Sequence, residues 1–187
     1  MIKRVWQVIL GILLACYPLV IYLGLETMPL NRVAALILGL FLLRLLALKG
    51  SRLRFLRHLT IPAALGGIAL SSAALFLNSQ QALLLYPVLV SIAGFSVFTW
   101  SLIKPPSIIE CFARLQEETL TEQAVVYTRK VTMIWCLFFT INGSIALFTV
   151  ISNDQALWAL YNGLISYLLM GTLLGGEWLY RKWILKV

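Results

Sequence analysis

The sequence has few charged residues, and acidic residues are the scarcest of them. Only 12% of its 187 residues are charged, with 7 Asp and Glu against 15 Lys and Arg, whereas 61% are hydrophobic and the mean hydropathy is +0.93. Soluble domains contain about 25% charged and about 45–50% apolar residues. The composition therefore excludes an ordinary soluble domain and indicates that lipid covers much of the surface.

Cysteine and histidine are scarce as well. Cys16, Cys111 and Cys136 lie far apart without a CxxC pair, and His58 is the single histidine. These residues predict neither a disulfide framework nor a zinc site. The sequence also lacks GxSxG, HExxH and paired aspartates, so we expect no metal, no cofactor and no catalytic residues, and enzymatic activity is not favoured.

Long apolar runs are what the sequence has in abundance. A helix that rises 1.5 Å per residue needs about 20 residues to cross a hydrocarbon core of about 30 Å. Apolar runs near that length predict an all-α integral membrane bundle, a single transmembrane domain over 1–187 with six spans. The spans are predicted at about 5–25, 33–48, 59–77, 82–103, 131–151 and 157–178. The first is longer than the apolar core of a secretory signal, which favours a spanning helix.

The distribution of Lys and Arg predicts the orientation. Short loops rich in these residues stay in the cytoplasm. With both chain ends inside, every Lys and Arg except Arg32 falls on the inner side. This pattern accounts for most of the net charge of +8 and predicts a multi-pass membrane protein with both chain ends in the cytoplasm. No segment combines bases with interleaved stacking groups, so nucleic acid is not an expected partner.

Two inner connections follow from this topology. The first contains four bases without an acid and could bind anionic lipid headgroups, each base adding roughly 1 kcal/mol near the surface. Its alternative role is to set the topology alone. The bases are Lys49, Arg52, Arg54 and Arg57.

The second inner connection, 104–130, contains both bases and acids and is predicted to fold. Ser107 and Glu110 have the spacing of a capping box, and a second box is expected at Thr119 and Glu122. Apolar residues at helical spacing beyond Ser107 predict an amphipathic cytoplasmic helix along the membrane surface, between the fourth and fifth spans. It could serve as a partner-docking surface or as a structural elbow. The docking residues would be Glu110, Phe112, Arg114 and Leu115.

Polar residues inside the predicted spans are candidates for a binding site, because each is unfavourable in hydrocarbon unless it faces protein or water. Asn142 and Asn162 lie deepest, and hydrogen bonds between helices are the alternative explanation for both. The complete candidate intramembrane polar site is Asn142, Tyr161, Asn162, Ser166 and Tyr167.

Three weaker patterns complete the analysis of the spans. Arg44 and Glu177 have similar predicted depths near the inner ends of their helices and could form an ion pair, although Arg44 could also reach the interface. Gly171 and Gly175 form a GxxxG motif that permits close helix approach. Tyr-Pro occurs at 17–18 and again at 86–87, which hints at an inverted repeat of three helices.

Motifs in the second half resemble a family of small bacterial inner-membrane proteins. The resemblance is close over about 86–182, and Tyr17-Pro18 and Arg44 also fit. Its motifs are Pro105-Pro106-Ser107-Ile108-Ile109-Glu110, Ala113-Arg114-Leu115, Tyr127-Thr128-Arg129-Lys130, Trp135-Cys136, Asn142-Gly143 and Trp158-Ala159-Leu160-Tyr161-Asn162-Gly163. Members look like companions of acyltransferases, acyl carrier proteins and acyl-activating enzymes in aryl-polyene gene clusters. The resemblance implies a place in envelope lipid or polyene biosynthesis and assigns no activity to any residue.

Three functions stay open. The first is a non-enzymatic anchor or assembly factor of that pathway, with membrane lipids and a cytoplasmic acyl carrier protein or acyltransferase as its partners. The second is a small transporter or flippase for a lipid-linked or acyl product, for which six helices predict a homodimer through the sixth span. The third is a membrane-bound acyl-transfer enzyme.

Overall fold

The computed structural model describes residues 16–47, 54–115, 119–181 and 183. Within these ranges the regular structure is helical throughout, without a β-strand, which confirms the all-α class. The start of the first predicted span lies outside the described residues, as do Lys49 and Arg52. Of Arg54 and Arg57 the structure describes the backbone only.

The described residues form nine α-helical segments and one π-helical turn. In chain order they are α1 (Tyr17–Thr27), α2 (Leu30–Ala47), α3 (Arg54–Leu77), α4 (Gln80–Leu84), α5 (Tyr86–Ile103), α6 (Ile108–Ala113), α7 (Glu122–Ile151), α8 (Gln155–Leu160), the π-turn (Tyr161–Ile165) and α9 (Ser166–Tyr180).

Four helical stretches are long and apolar enough to cross a membrane. They are Thr60–Leu77, Gln80–Ile103, Glu122–Ile151 and Gln155–Tyr180. These stretches confirm the last four predicted spans as helices of sufficient length, and they identify the chain as a membrane protein. The 18-residue α2 covers the second predicted span up to Ala47, and the 11-residue α1 begins at Tyr17 within the first and ends two residues beyond it, at Thr27.

Two tight turns join long helices end to end, at the polar stretches 78–81 and 152–155 that separate the third predicted span from the fourth and the fifth from the sixth. Each contains an asparagine with positive φ, Asn78 at 48° and Asn153 at 54°, a conformation that asparagine adopts more readily than other non-glycine residues. The Asp154 carboxylate then accepts a hydrogen bond from the Leu157 amide and begins α8. Gln81 Nε2 donates to Asn153 Oδ1 at 3.3 Å, so both turns lie at the same end of the bundle.

The fourth predicted span is not one continuous helix. It breaks at Leu85 into α4 and α5, and Pro87 lies in the first turn of α5. Proline has no amide hydrogen, so the carbonyl four residues earlier, that of Leu83, loses its usual helical donor. The sixth predicted span is interrupted as well, by the π-turn.

Close helix contacts occur where glycine faces a large side chain. A Cβ atom at Gly67 would lie 2.4 Å from the Phe41 ring, which brings α3 against α2. A Cβ atom at Gly94 would lie 2.7 Å from the Phe139 ring, and one at Gly143 would lie 2.9 Å from Ser91 Cβ. The last two contacts pack α5 against α7, so small residues set these helix distances.

Candidate intramembrane binding site

A cavity lies where α1, α5, α7, the π-turn and α9 meet. Its volume is about 100 Å³. Four of the five residues predicted for the intramembrane polar site line it, together with both Tyr-Pro pairs. The lining residues are Tyr17, Pro18, Tyr86, Pro87, Val90, Ser91, Phe139, Asn142, Asn162, Ser166, Tyr167 and Met170. The structure therefore brings together residues that are up to 153 positions apart (Tyr17 to Met170).

Asn142 connects α7 to two other elements. Its Nδ2 donates to Ser91 Oγ of α5 at 3.2 Å, and its Oδ1 accepts from the Tyr161 hydroxyl of the π-turn at 3.1 Å. Ser91 Oγ donates in turn to the Pro87 carbonyl at 3.1 Å. Tyr161, the fifth predicted site residue, thus acts on the cavity through Asn142 without lining it.

Asn162 is the polar residue of this site whose hydrogen bonding is incomplete. Its Nδ2 donates to Thr149 Oγ1 at 3.1 Å and to the Trp158 carbonyl at 2.9 Å. Its Oδ1 is buried and has no hydrogen-bond partner among the described residues. Since buried polar atoms are almost always paired, this acceptor indicates a position where a donor from outside the chain is favoured.

The π-turn places these groups. The Ser166 amide donates to the Tyr161 carbonyl five residues back, which is the π register, and the wider turn rotates the helix between α8 and α9. Tyr161, Asn162 and Ser166 are all buried there. Such single π-turns occur mostly inside α-helices and often at functional sites.

Aromatic rings form one wall of the cavity. The Tyr17 and Tyr86 ring centroids are 4.6 Å apart, and Phe41 lies behind them, 4.8 Å from Tyr86. None of the twelve lining residues is an acid, a lysine, an arginine or a histidine. The site can therefore offer hydrogen bonds and apolar contacts to a ligand, but no ionic ones.

The predicted partner-docking surface lies on α6 and the residues next to it, after the end of α5. Ser107 Oγ accepts from the Glu110 amide, so one half of the predicted capping box is present. The Glu110 carboxylate does not complete the box; it pairs with Arg114 at 2.8 Å and is only 6% exposed. Glu110 therefore faces protein, whereas the Arg114 side chain is 43% exposed, and the helix ends after six residues.

The apolar residues of this segment differ in their exposure. Ile108 is buried against Phe98 and Val131, whereas Phe112 is 42% and Leu115 63% exposed. The second predicted capping box is wrong, because the helix cap is Thr121, whose Oγ1 accepts from the Ala124 amide.

Glu177 has partners other than the predicted Arg44. Its carboxylate pairs with Arg181 Nε at 2.8 Å and accepts a hydrogen bond from the Tyr127 hydroxyl at 3.4 Å. Arg181 lies one turn along from Glu177, so this i,i+4 pair forms without any tertiary contact. Arg44 instead lies within electrostatic range of Tyr86.

The GxxxG motif of α9 has no packing partner in the described chain. Cβ atoms at Gly171 and Gly175 would meet nothing within 4 Å. This face of α9 therefore contacts none of the described helices, in contrast to Gly67, Gly94 and Gly143.

Sequence reasoning missed several residues of the site. Ser91, Thr149 and Trp158 supply hydrogen bonds to Asn142 or Asn162. The Tyr-Pro pairs were read as a sign of repeat symmetry, yet both line the cavity and each proline lies in the first turn of its helix. Their shared position at a helix start was the available signal.

Comparison with known proteins adds no functional assignment. No family model, no curated protein and no solved structure matches the chain. Among the described residues no group of three or more His, Cys, Asp or Glu could bind a metal ion.

Proposed function

We propose that this chain is a six-span protein of a bacterial inner membrane, with both ends in the cytoplasm, that binds a lipid-type molecule within the bilayer and moves it or presents it to other proteins. The pathway we propose is the biosynthesis of an envelope lipid or aryl polyene. The observation that supports binding most directly is the buried, unpaired Oδ1 of Asn162, a residue that lines a cavity between the helices.

The depth of the cavity suits such a role. Asn142 lies nine residues before the end of α7 and Asn162 seven residues after the start of α8, so both are about 10–14 Å from the turn that joins these helices. A polar cavity at this depth is typical of substrate sites between transmembrane helices. The outward GxxxG face of α9 favours a homodimer.

Transbilayer movement tests this proposal. We expect purified protein to accelerate the movement of a fluorescent lipid analogue in proteoliposomes, and we expect Asn142→Leu with Asn162→Leu to abolish the acceleration. Ser144→Ala is the matched control, because Ser144 is an exposed polar residue of the same helix that bonds only the Thr140 carbonyl. An unchanged rate in the double variant would contradict a transport role.

A second candidate function is an anchor for a cytoplasmic acyl carrier protein or acyltransferase. Phe112 and Leu115 favour it, because two exposed apolar side chains lie beside the fixed Glu110–Arg114 pair. Clusters of exposed apolar residues rimmed by polar ones often mark interaction sites.

Recruitment tests the anchor. Changing Phe112 and Leu115 to Glu should abolish co-purification of an acyl carrier protein or acyltransferase, whereas Val126→Glu should not, since Val126 is equally exposed but belongs to α7. Equal recovery of the partner by both variants would exclude this surface.

A further inference from the structure

We infer that the cavity takes the uncharged, hydrogen-bond-donating end of an amphiphile, such as the hydroxyl group of a long-chain alcohol, and rejects charged headgroups. This inference rests on the proposed function, because it specifies the chemistry of the ligand that the cavity binds. Four features of the cavity support it.

The first feature is the fixed orientation of the Asn162 amide. Its nitrogen faces the Trp158 carbonyl, which can only accept a hydrogen bond, so the amide cannot be reversed without placing two acceptors together. Both hydrogens of Nδ2 are in use, because the second one goes to Thr149 Oγ1. Oδ1 is therefore the free atom, and a complementary ligand must bring a donor.

The second feature is the direction of the hydrogen bonds around Oδ1. The Thr149 hydroxyl donates to the Ala146 carbonyl, and the Tyr161 hydroxyl donates to Asn142 Oδ1. Neither hydroxyl turns its hydrogen towards Asn162. The chain thus does not satisfy this acceptor internally, although Asn162 is only 4% exposed.

The third feature is the absence of Asp, Glu, Lys, Arg and His among the twelve lining residues. A carboxylate, phosphate or ammonium group in the cavity would lose its hydration and find no opposite charge among these residues. An uncharged donor loses much less hydration and regains a hydrogen bond at Oδ1.

The fourth feature is size. A volume of about 100 Å³ holds a group of several non-hydrogen atoms, such as the end of a chain, since a cavity of about 10–15 Å³ suffices for one water. Val90, Phe139 and Met170 supply an apolar lining for the carbon atoms next to the donor, and Tyr167, which is 41% exposed, places the mouth of the cavity on the side of α9.

The test uses the full-length protein in nanodiscs and three photoreactive sixteen-carbon probes with a diazirine near the polar end. The probes end in an alcohol, in the matched methyl ether, which lacks the donor, and in the matched carboxylate at pH 8. Labelling of peptides that contain lining residues is then measured by mass spectrometry.

We expect the alcohol to label these peptides about tenfold more than the ether, because the ether leaves Oδ1 unpaired, and we expect the carboxylate to label them least. In Asn162→Leu the alcohol and ether should label equally, whereas Ser144→Ala should keep the wild-type ratio. Because the comparison of probes is made on the wild-type protein, the test stands even if Asn162→Leu fails to fold.

The outcomes separate the two proposals. Equal labelling by all three probes, or preference for the carboxylate, overturns the ligand chemistry and leaves intramembrane binding intact. Labelling of these peptides by none of the probes means that water alone fills the cavity, and it overturns the binding function together with the inference.

Discussion

Two backbone carbonyl groups near Pro87 accept hydrogen bonds from side chains of other helices, at the point where the helix is interrupted. The Leu83 carbonyl, which lacks its amide donor, accepts from the Tyr17 hydroxyl at 2.8 Å, and the neighbouring Leu84 carbonyl accepts from Trp158 Nε1 at 2.9 Å. In a membrane such carbonyls have no water to bond, so donors from neighbouring helices must replace it. These two hydrogen bonds therefore tie α4 to α1 and to α8.

Removal of either donor should destabilise the protein. We expect Tyr17→Phe and Trp158→Phe each to lower the free energy of unfolding by about 1–3 kcal/mol, because each leaves a buried carbonyl unpaired. Reversible unfolding in mixed micelles measures the difference.

Tyr180→Phe is the control for these two variants, since Tyr180 is exposed and its ring stacks on Tyr127 without help from the hydroxyl. A loss of stability in Tyr180→Phe as large as in Tyr17→Phe would show that the Leu83 carbonyl is not the cause.

At the scale of elements, the helices differ in how they are held. The contact between α5 and α7 is close at Gly94 and Gly143, and aromatic residues extend it towards the end of α5 that precedes α6, where Phe98 packs edge-on against Phe139 at 5.2 Å. The GxxxG face of α9 has no such contact with the described residues. Close packing of small residues stabilises helix pairs in lipid, where no hydrophobic effect operates between helices.

Two glycine substitutions should therefore have opposite consequences. Gly94→Ala forces the Phe139 ring to move and should lower the stability by about 1–3 kcal/mol. Gly171→Ala meets no atom of the described residues within 4 Å and should leave the stability of the folded chain unchanged or raise it by up to about 1 kcal/mol. Unfolding in mixed micelles compares the two variants directly.

The same two variants test whether the protein forms a homodimer through α9. If α9 pairs with its copy, Gly171→Ala should shift the oligomer towards monomer on size-exclusion chromatography, whereas Gly94→Ala should not. Destabilisation of the same size in both variants would contradict the packing difference.

For the whole molecule, the turns at 78–79 and 152–154 define one end of the bundle, and α6 follows the opposite end of α5. The positive-inside pattern predicts that α6 lies in the cytoplasm. The natural Cys111 of α6 and a cysteine introduced in place of Ser79 are therefore expected on opposite sides of the membrane.

Thiol labelling in spheroplasts tests this topology, with the other cysteines replaced by serine. A membrane-impermeant maleimide should label Ser79→Cys in intact spheroplasts and Cys111 only after permeabilisation. Burial raises the pKa of the Cys111 thiol, and the nearby Glu110 carboxylate adds to the effect. Less thiolate is present at neutral pH, so labelling of Cys111 should speed up as the pH rises. Labelling of Cys111 in intact spheroplasts would reverse or refute the topology.

Whether the sequence predicts a structural feature depends on how far apart along the chain the interacting residues lie. The turns at Asn78 and Asn153 and the cap at Ser107 were predicted because they depend on neighbouring residues alone. The partners that the structure gives Glu177, Arg181 and Tyr127, were not predicted, because depth along the membrane says nothing about which sides of two helices face each other. The Thr119 cap was wrong by two residues, since Thr121 caps the helix without a Glu or Gln three residues further on.

The sequence by itself determined that the chain is a helical membrane protein, where its last four spans lie and where its hairpins turn, because length and hydropathy along one helix fix these features. Only the tertiary structure decided that Asn142, Asn162 and both Tyr-Pro pairs surround one cavity and that the Leu83 and Leu84 carbonyls receive donors from other helices. The reason is that lipid and protein interior are equally apolar, so hydropathy does not specify how helices are ordered and rotated against one another.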